Sequence, residues 1–315
     1  MDIVDTHCHI HEIVQSPLND ATHDKWAKAG KSGAADADTI IAEAHAAGVT
    51  RLICVGTDVD DSTLAVEFVQ SRPGAWASVG IHPHEAKRYI GERSTLRRFE
   101  ALVMQPKVVA IGECGLDYFY NHSPKADQEK ILRFQIELAL QHDLPMIFHV
   151  REAFGDFWPI FDDYHQKSQS GSSGNKAQKV RGVIHSFSAT QRELDAILER
   201  DLFVGLNGIV TFTKAAKVAK SAEAEKAEKA EKNKAQIEAF QSVPVDKMLI
   251  ETDAPYLTPI PFRGSICESK HAATTLSFVA SMQGKKLKSE QPLQELTRIL
   301  AAQTTKNARQ LFNLS

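Results

Sequence analysis

Two residues near the start of this sequence have the type and spacing to bind a metal ion. His7 and His9 follow the mainly apolar run 1–4. Side chains two residues apart on a strand point the same way, so both imidazoles are expected on one side of the chain. Such a pair can hold one divalent cation. A His-x-His pair also arises by chance among 13 histidines, so the interpretation depends on finding further ligands.

Four more candidate ligands each follow an apolar run. Taken alone, each of them is more simply explained as a loop or helix-cap residue. Together with His7 and His9 they form a set of imidazoles and carboxylates that suits zinc, manganese, magnesium or iron. Six ligands are more than one ion needs, which favours a two-metal site with a bridging carboxylate. The four are Glu113 after 108–112, His149 after 146–148, His185 after 182–184, and Asp253 after 248–252.

Apolar runs and helical patterns alternate along the chain. The run 51–55, for example, precedes a helical pattern that begins with a capping Thr57-Asp58. Eight such units predict an α/β fold, a (β/α)8 TIM barrel, although a doubly wound open sheet has the same local pattern. In a barrel the carboxyl ends of all strands meet at one rim. The six candidate ligands are therefore expected to converge there.

We predict one barrel domain over 1–315 with surface insertions at 16–35, 165–179 and 214–234. The first segment is polar and contains Gly and Asp, as expected of a loop that leaves a strand. The second is a Ser/Gly/Lys/Gln run with little to bury. The third contains EKAEKAEKNK, in which Glu precedes Lys by four residues, and this predicts a solvated helix.

The composition narrows the class of protein. Hydrophobic residues make up 43% and charged residues 24%, which is ordinary for a globular enzyme. A formal charge of −3 gives no overall attraction for polyanions, so a nucleic-acid substrate requires a local basic cleft or metal ions. Four scattered cysteines and the lack of a signal peptide or a long apolar run predict a cytoplasmic protein without membrane contact. A nuclear or organellar location stays open for a eukaryote.

The sequence resembles the TatD family of metal-dependent deoxyribonucleases, a branch of the amidohydrolase-like barrels. The motifs that carry the resemblance occur in family order. They are 5–9 (DTHCH), 80–84 (GIHPH), 112–118 (GECGLDY), 145–151 (PMIFHVR), 185–188 (HSFS) and 251–257 (ETDAPYL). The chain departs from the family at 265–271 and at Ala189, neither of which includes a candidate ligand. These departures bear on substrate preference.

The resemblance implies a barrel mouth that binds two divalent ions, Mg, Mn or Zn, and cleaves phosphodiester bonds. The implied activity is that of a 3′ to 5′ exonuclease on DNA, single-stranded or at 3′ ends, with RNA as a further substrate. The same resemblance implies which residues hold each ion. The first ion is assigned to His7, His9, Glu113 and Asp253, and the second to Glu113, which bridges, with His149 and His185.

Roles in catalysis follow from the chemistry that such a site would need. Asp253 is predicted to orient the attacking water and take its proton, with Glu113 bridging the ions. Arg151 and Arg263 are candidates for phosphate oxygens, because a guanidinium matches their geometry, although a solvated or capping arginine is an equal alternative. His82 is predicted to contact substrate or donate a proton. Cys8 and Cys114 are expected to be buried, and the supporting candidates are Asp5, His11, His84 and Asp117.

Two other functions remain open at this level. Barrels with these ligands also hydrolyse other bonds, as D-aminoacyl-tRNA deacylases, lactonases or amidohydrolases do, since a fold does not fix a substrate. A non-enzymatic barrel that binds a partner through the charged helix at 214–234 ranks third.

Overall fold

A computed structural model of the protein describes residues 1–14, 20–169, 179–214 and 223–314. Its sheet has eight strands in the order in which they occur along the chain, and each neighbouring pair is parallel. The strands are β1 (Ile3–Cys8), β2 (Val49–Val55), β3 (Ala75–Val79), β4 (Val108–Asp117), β5 (Met146–Arg151), β6 (Gly182–Ile184), β7 (Phe203–Leu206) and β8 (Met248–Ile250).

The first and last strands meet at their carboxyl ends. The amide of Asp253 donates to the carbonyl of His7 at 2.8 Å, and the amide of His9 donates to the carbonyl of Ala254 at 2.7 Å. These bonds bring the two edges of the sheet together into a nearly closed barrel. The prediction of a (β/α)8 barrel is confirmed, and the alternative of an open doubly wound sheet is wrong.

Helices separate the strands, as the right-handed crossover between parallel strands requires. No helix in the described ranges is long and apolar enough to cross a lipid bilayer. The helices are α1 (Asp20–Lys28), α2 (Ala34–Ala46), α3 (Val59–Gln70), α4 (Arg93–Val103), α5 (Lys125–His142), α6 (Phe154–Gln169), α7 (Gln191–Glu199), α8 (Glu223–Ser242), α9 (His271–Lys286) and α10 (Leu293–Phe312), with short 3-10 helices at Ile10–Ile13, Pro83–Tyr89, Gly208–Lys214 and Val245–Lys247.

The helix α10 is packed against the strands. Its residues Leu311 and Phe312 belong to one buried apolar cluster with Val4, Ile53 and Leu249, which come from three different strands. Burial of this kind stabilises the barrel by about 25 cal/mol for each Å² of apolar surface removed from water. The cluster provides a rigid base for the polar residues at the other end of the strands.

The three predicted insertions differ in outcome. The interpretation of 16–35 as a loop is wrong in part, because α1 lies within it and buries Trp26 completely. The helix α6 continues to Gln169, well past the predicted start of the second insertion at residue 165. The third contains the start of α8, in agreement with a predicted helix. Residues 16–19, 170–178 and 215–222 of these predictions lie outside the described ranges, and the single-domain boundary stays a prediction.

Candidate metal centre

The six candidate ligands gather at one end of the barrel, but they do not all follow strands. His7, Glu113 and His149 lie within β1, β4 and β5, whereas His9, His185 and Asp253 follow β1, β6 and β8. The expected ends of β4 and β5 were placed too early, because both strands continue as a paired ladder to Asp117 and Arg151. A polar side chain does not end a strand when it faces a cavity and the backbone pairing continues.

Glu113 is at the centre of the ligand set. One carboxylate oxygen, Oε1, lies 2.8 Å from Nδ1 of His149 and 3.6 Å from Nε2 of His185. The other oxygen, Oε2, lies 3.4 Å from Nε2 of His7. Burial alone would raise the pKa of this carboxyl, but the surrounding imidazoles, His82 and His185 foremost, hold it well below its usual range. Glu113 is therefore an ionised carboxylate that faces imidazoles on two sides.

A second group of ligands lies beside Glu113. The Nε2 atoms of His7 and His9 are 3.2 Å apart, and Oδ1 of Asp253 lies 3.4 Å from Nε2 of His9 and 3.7 Å from Nε2 of His7. Burial raises the pKa of Asp253, but the hydrogen bond from His9 and the charges of the surrounding imidazoles together outweigh burial, and the net shift is downward. Two ring nitrogens that face each other and a carboxylate in this way are arranged as ligands of one cation.

The polar contacts behind three of the imidazoles favour metal binding. In each ring the nitrogen that points away from the centre is close to an oxygen acceptor and therefore carries the proton. In the neutral ring the nitrogen that points inward then has a free lone pair, as a metal ligand requires. The outward contacts are His9 Nδ1 to the Val55 carbonyl at 2.7 Å, His149 Nε2 to Asp117 Oδ2 at 2.9 Å, and His185 Nδ1 to Glu251 Oε1 at 3.1 Å.

His82 differs from these three histidines. Its Nδ1 accepts a hydrogen bond from the backbone amide of His84 at 3.2 Å, so the proton of the neutral ring is on Nε2. Nε2 lies 3.5 Å from Oε1 of Glu113. Burial lowers the pKa of His82 to about 4, which keeps the ring neutral near pH 7. In this tautomer His82 directs an N–H towards Glu113, and its predicted contact with substrate stays a prediction.

Five of the six candidate ligands, all but the fully buried His7, line a cavity of about 680 Å³ at the barrel mouth, together with Arg151 and Tyr120. The two predicted phosphate-binding arginines therefore differ. Arg151 lines the cavity, whereas Arg263 is not among its lining residues and lies with its guanidinium 3.8 Å from the centre of the Phe212 ring. Of the two arginines, Arg151 is the one that lines the cavity, and the contact of either with a phosphate stays a prediction.

The supporting candidates have distinct positions. Asp117 holds His149 and also accepts a hydrogen bond from Nε2 of His84 at 3.1 Å. Asp5 is buried and accepts from the backbone amide and the hydroxyl of Thr252, so it supports the backbone of the site. His11 forms a separate buried ion pair with Asp61 at 2.9 Å.

The cysteines agree with the expectation from the sequence. Cys8 and Cys114 are completely buried, and all four cysteines are free.

Two residues of the site escaped the sequence analysis. Glu251, behind His185, is buried and precedes Asp253 by two residues, and this acidic pair was a usable signal. Lys25 has its ammonium 3.7 Å from the centre of the Tyr256 ring, at the edge of the cavity. It is carried by α1, within the segment that was interpreted as a loop, and no pattern in the sequence pointed to it.

A (β/α)8 barrel whose mouth gathers buried imidazoles and carboxylates has the architecture of metal-dependent hydrolases. The family model for TatD related DNase matches residues 4–313. The chain therefore belongs to this family, and it is an enzyme of the metal-dependent hydrolase type.

Similar proteins agree with this assignment. The chain is 30% identical to a Citrobacter rodentium protein named 3′-5′ ssDNA/RNA exonuclease TatD, over 89% of this chain and 93% of that protein. It is 31% identical to the uncharacterized metal-dependent hydrolase YabD of Bacillus subtilis, over 89% and 94%. The barrel also resembles the crystal structure of the Escherichia coli TatD homolog YJJV, with a TM-score of 0.72 at 21% identity over 99% and 98% of the two chains.

Proposed function

We propose that this protein is a phosphodiesterase that removes nucleotides from the 3′ ends of single-stranded DNA, with RNA as a second substrate. The observation that carries the proposal is the position of Glu113, whose two oxygens face different imidazoles. This arrangement suits a carboxylate shared between two divalent ions, and Mg, Mn and Zn are the candidates. The relatives named as ssDNA/RNA exonucleases support a nucleic-acid substrate.

The donor set divides into two overlapping groups in the proposal. Divalent ions held there would acidify a water molecule and offset the charge that develops on the phosphate oxygens. His7, which lies 3.4 Å from Glu113, joins the first group to the shared carboxylate. The first group is His7, His9, Glu113 and Asp253, and the second is Glu113, His149 and His185.

The protein's own residues have separate tasks. Asp253 is ionised, and its carboxylate is placed to accept a hydrogen bond from the attacking water and to take its proton. Arg151 lines the cavity and forms no ion pair with a carboxylate of the described residues, so its guanidinium is available to a phosphate oxygen. His82 directs its Nε2 proton towards Glu113 and helps to fix the orientation of that carboxylate.

The location in the cell is also part of the proposal. Four free and buried cysteines suit a reducing compartment, which supports the cytoplasm.

The decisive assay uses purified protein and an oligonucleotide labelled at its 5′ end. We expect a ladder of products shortened from the 3′ end when Mg, Mn or Zn is supplied, and none in EDTA. The same oligonucleotide as a blunt duplex and as RNA measures the preference for structure and sugar. A wild-type protein that shortens no strand with any of these metals contradicts the proposal. Parallel assays with lactones and D-aminoacyl-tRNA test the alternative hydrolase functions.

A further inference from the structure

Two aromatic side chains are exposed beside the cavity. Phe119 and Tyr120 lie two and three residues after the end of β4, and 52% and 51% of their surfaces are accessible to solvent. Their rings meet edge to face with centroids 4.8 Å apart, and Tyr120 lines the cavity. Large exposed aromatic surfaces next to a functional cavity often mark a place where a ligand binds.

A positive charge lies against both rings. The guanidinium of Arg151 is 4.1 Å from the centre of the Phe119 ring and 4.7 Å from that of Tyr120. Arg151 also lines the cavity that contains the candidate metal ligands. One short stretch of the rim therefore offers a cation for a phosphate and half-exposed aromatic surface for a base, although Tyr120 is also stacked on His122 with ring centroids 5.7 Å apart. Proteins that bind single-stranded nucleic acid combine these two features.

A single carboxylate ties this part of the rim to the metal centre. Oδ1 of Asp117 accepts hydrogen bonds from the backbone amides of Phe119 at 3.0 Å and Tyr120 at 2.9 Å. Oδ2 of the same residue accepts from Nε2 of His149 at 2.9 Å. Asp117 is completely buried, so its position is fixed by the barrel. The backbone that carries the two rings is therefore held at a set position relative to a candidate metal ligand.

We propose that Phe119 and Tyr120 are specificity-determining residues, which form a platform on which an unpaired base next to the cleaved phosphate is stacked. The inference rests on the proposed nuclease function and extends it. Arg151 holds the phosphate beside that base. A base within a duplex is already covered by its neighbours and must be unstacked before it can use the platform. The platform therefore selects single strands and frayed 3′ ends.

The test compares two single-stranded oligonucleotides of equal length. One is unmodified, and the other has tetrahydrofuran abasic residues at its last three 3′ positions. Base–aromatic stacking of ordinary strength predicts that the wild-type enzyme prefers the unmodified strand by about tenfold or more in kcat/KM. In Phe119→Ala and Tyr120→Ala this preference falls towards unity. Tyr120→Phe retains the ring and is expected to retain the preference.

Phe262→Ala is the matched control, because Phe262 is 48% exposed and is not among the residues that line the cavity. We expect it to keep the wild-type preference for bases, and circular dichroism confirms that all variants are folded. A preference that is unchanged in Phe119→Ala and Tyr120→Ala overturns the platform while the nuclease function stands. A wild-type enzyme that cleaves both strands equally also overturns the platform and leaves the nuclease function standing. A wild-type protein that cleaves neither strand overturns the nuclease function and the platform with it.

Discussion

The two groups of candidate ligands, here called the two halves of the candidate metal centre, contain the same types of side chain but are supported in different ways. In the first half, His9 donates its outward proton to the backbone carbonyl of Val55. In the second half, the acceptors behind His149 and His185 are the side-chain carboxylates of Asp117 and Glu251. The first half thus has a neutral support that belongs to the barrel wall, and the second has two charged ones.

This difference determines how each half can be altered. A carboxylate behind an imidazole makes its inward nitrogen a stronger ligand and can be weakened by a single isosteric substitution. A backbone carbonyl cannot be removed by changing a side chain. We therefore expect that substitutions of the residues behind the ligands change the metal affinity of the second half. The metal affinity of the first half should depend on the ligands themselves.

The largest expected effect comes from Glu113, which both halves share. Glu113→Gln removes the negative charge that two groups of imidazoles face, so metal binding should weaken in both halves and cleavage should fall by at least about a thousandfold. Metal content by plasma mass spectrometry and cleavage of labelled DNA measure the two effects. Glu43→Gln, at an exposed ion pair with Lys270, is the control. Full metal occupancy in Glu113→Gln contradicts the shared role.

Asp117→Asn separates the two halves. It keeps the shape of the side chain but replaces a charged acceptor behind His149, and such changes typically cost about 10- to 100-fold in metal affinity or activity. We expect the second half to bind its ion more weakly in this variant, while the first half retains its ion. Calorimetric titration with Mn²⁺ measures both affinities. Equal weakening of the two binding events would show that the halves are not independently supported.

The pH dependence of metal binding should involve both halves. Burial lowers the pKa values of His9 and His185, but neighbouring carboxylates, Asp253 for His9 and Glu251 for His185, outweigh it and raise them to about 9 and about 10. Both rings therefore carry an extra proton near pH 7 in the metal-free protein, and binding must release it. Affinity should rise by about tenfold per pH unit for each proton released. Calorimetry at pH 6, 7 and 8 measures this slope, and a flat profile contradicts it.

The same protons stabilise the metal-free fold. Because the folded pKa values exceed the unfolded value of about 6.5, this stabilisation is complete below that pH and is lost as the pH rises through about 9 to 10. The melting temperature of EDTA-treated protein should therefore decrease over this range. A melting temperature that increases over the same range would show the opposite sign.

Gly205→Ala is expected to give the smallest effect of the series. A Cβ at this position would lie 2.3 Å from Oε2 of Glu251, so the carboxylate behind His185 must shift. We expect a several-fold loss of activity, below that of Asp117→Asn, because Glu251 is moved and not removed. Gly155→Ala is the matched control, since a Cβ there meets no atom within 4 Å. Equal activity of the two variants would show that the position of Glu251 is unimportant.

That the six candidate ligands gather at one place could be predicted from the sequence, because each lies in a short motif with a side chain of recognisable chemistry. The supports behind them were harder to predict. Asp117 was only a general candidate, and Glu251 had no assigned role although it lies in the same motif as Asp253. The Val55 carbonyl could not be found at all, because every residue has a carbonyl and only the folded backbone shows which one faces His9.

The barrel was predictable from eight repeats of strand and helix, whereas the segments between them were not. The helix α1 has few apolar residues, and its burial of Trp26 depends on contacts with distant parts of the chain. Arg263 illustrates the same limit. The guanidinium of Arg263 suggested a residue that binds phosphate, but the contact between Arg263 and the Phe212 ring could be seen only in the folded protein.

The most direct test of the account is electron paramagnetic resonance during titration of the metal-free wild-type protein with Mn²⁺. A carboxylate shared by two ions brings their unpaired electrons into exchange, so we predict a coupled two-manganese spectrum as the second equivalent binds. The coupled signal should be absent from Glu113→Gln. A wild-type protein that shows only the spectrum of isolated Mn²⁺ at two bound equivalents contradicts a two-ion centre with Glu113 between its halves.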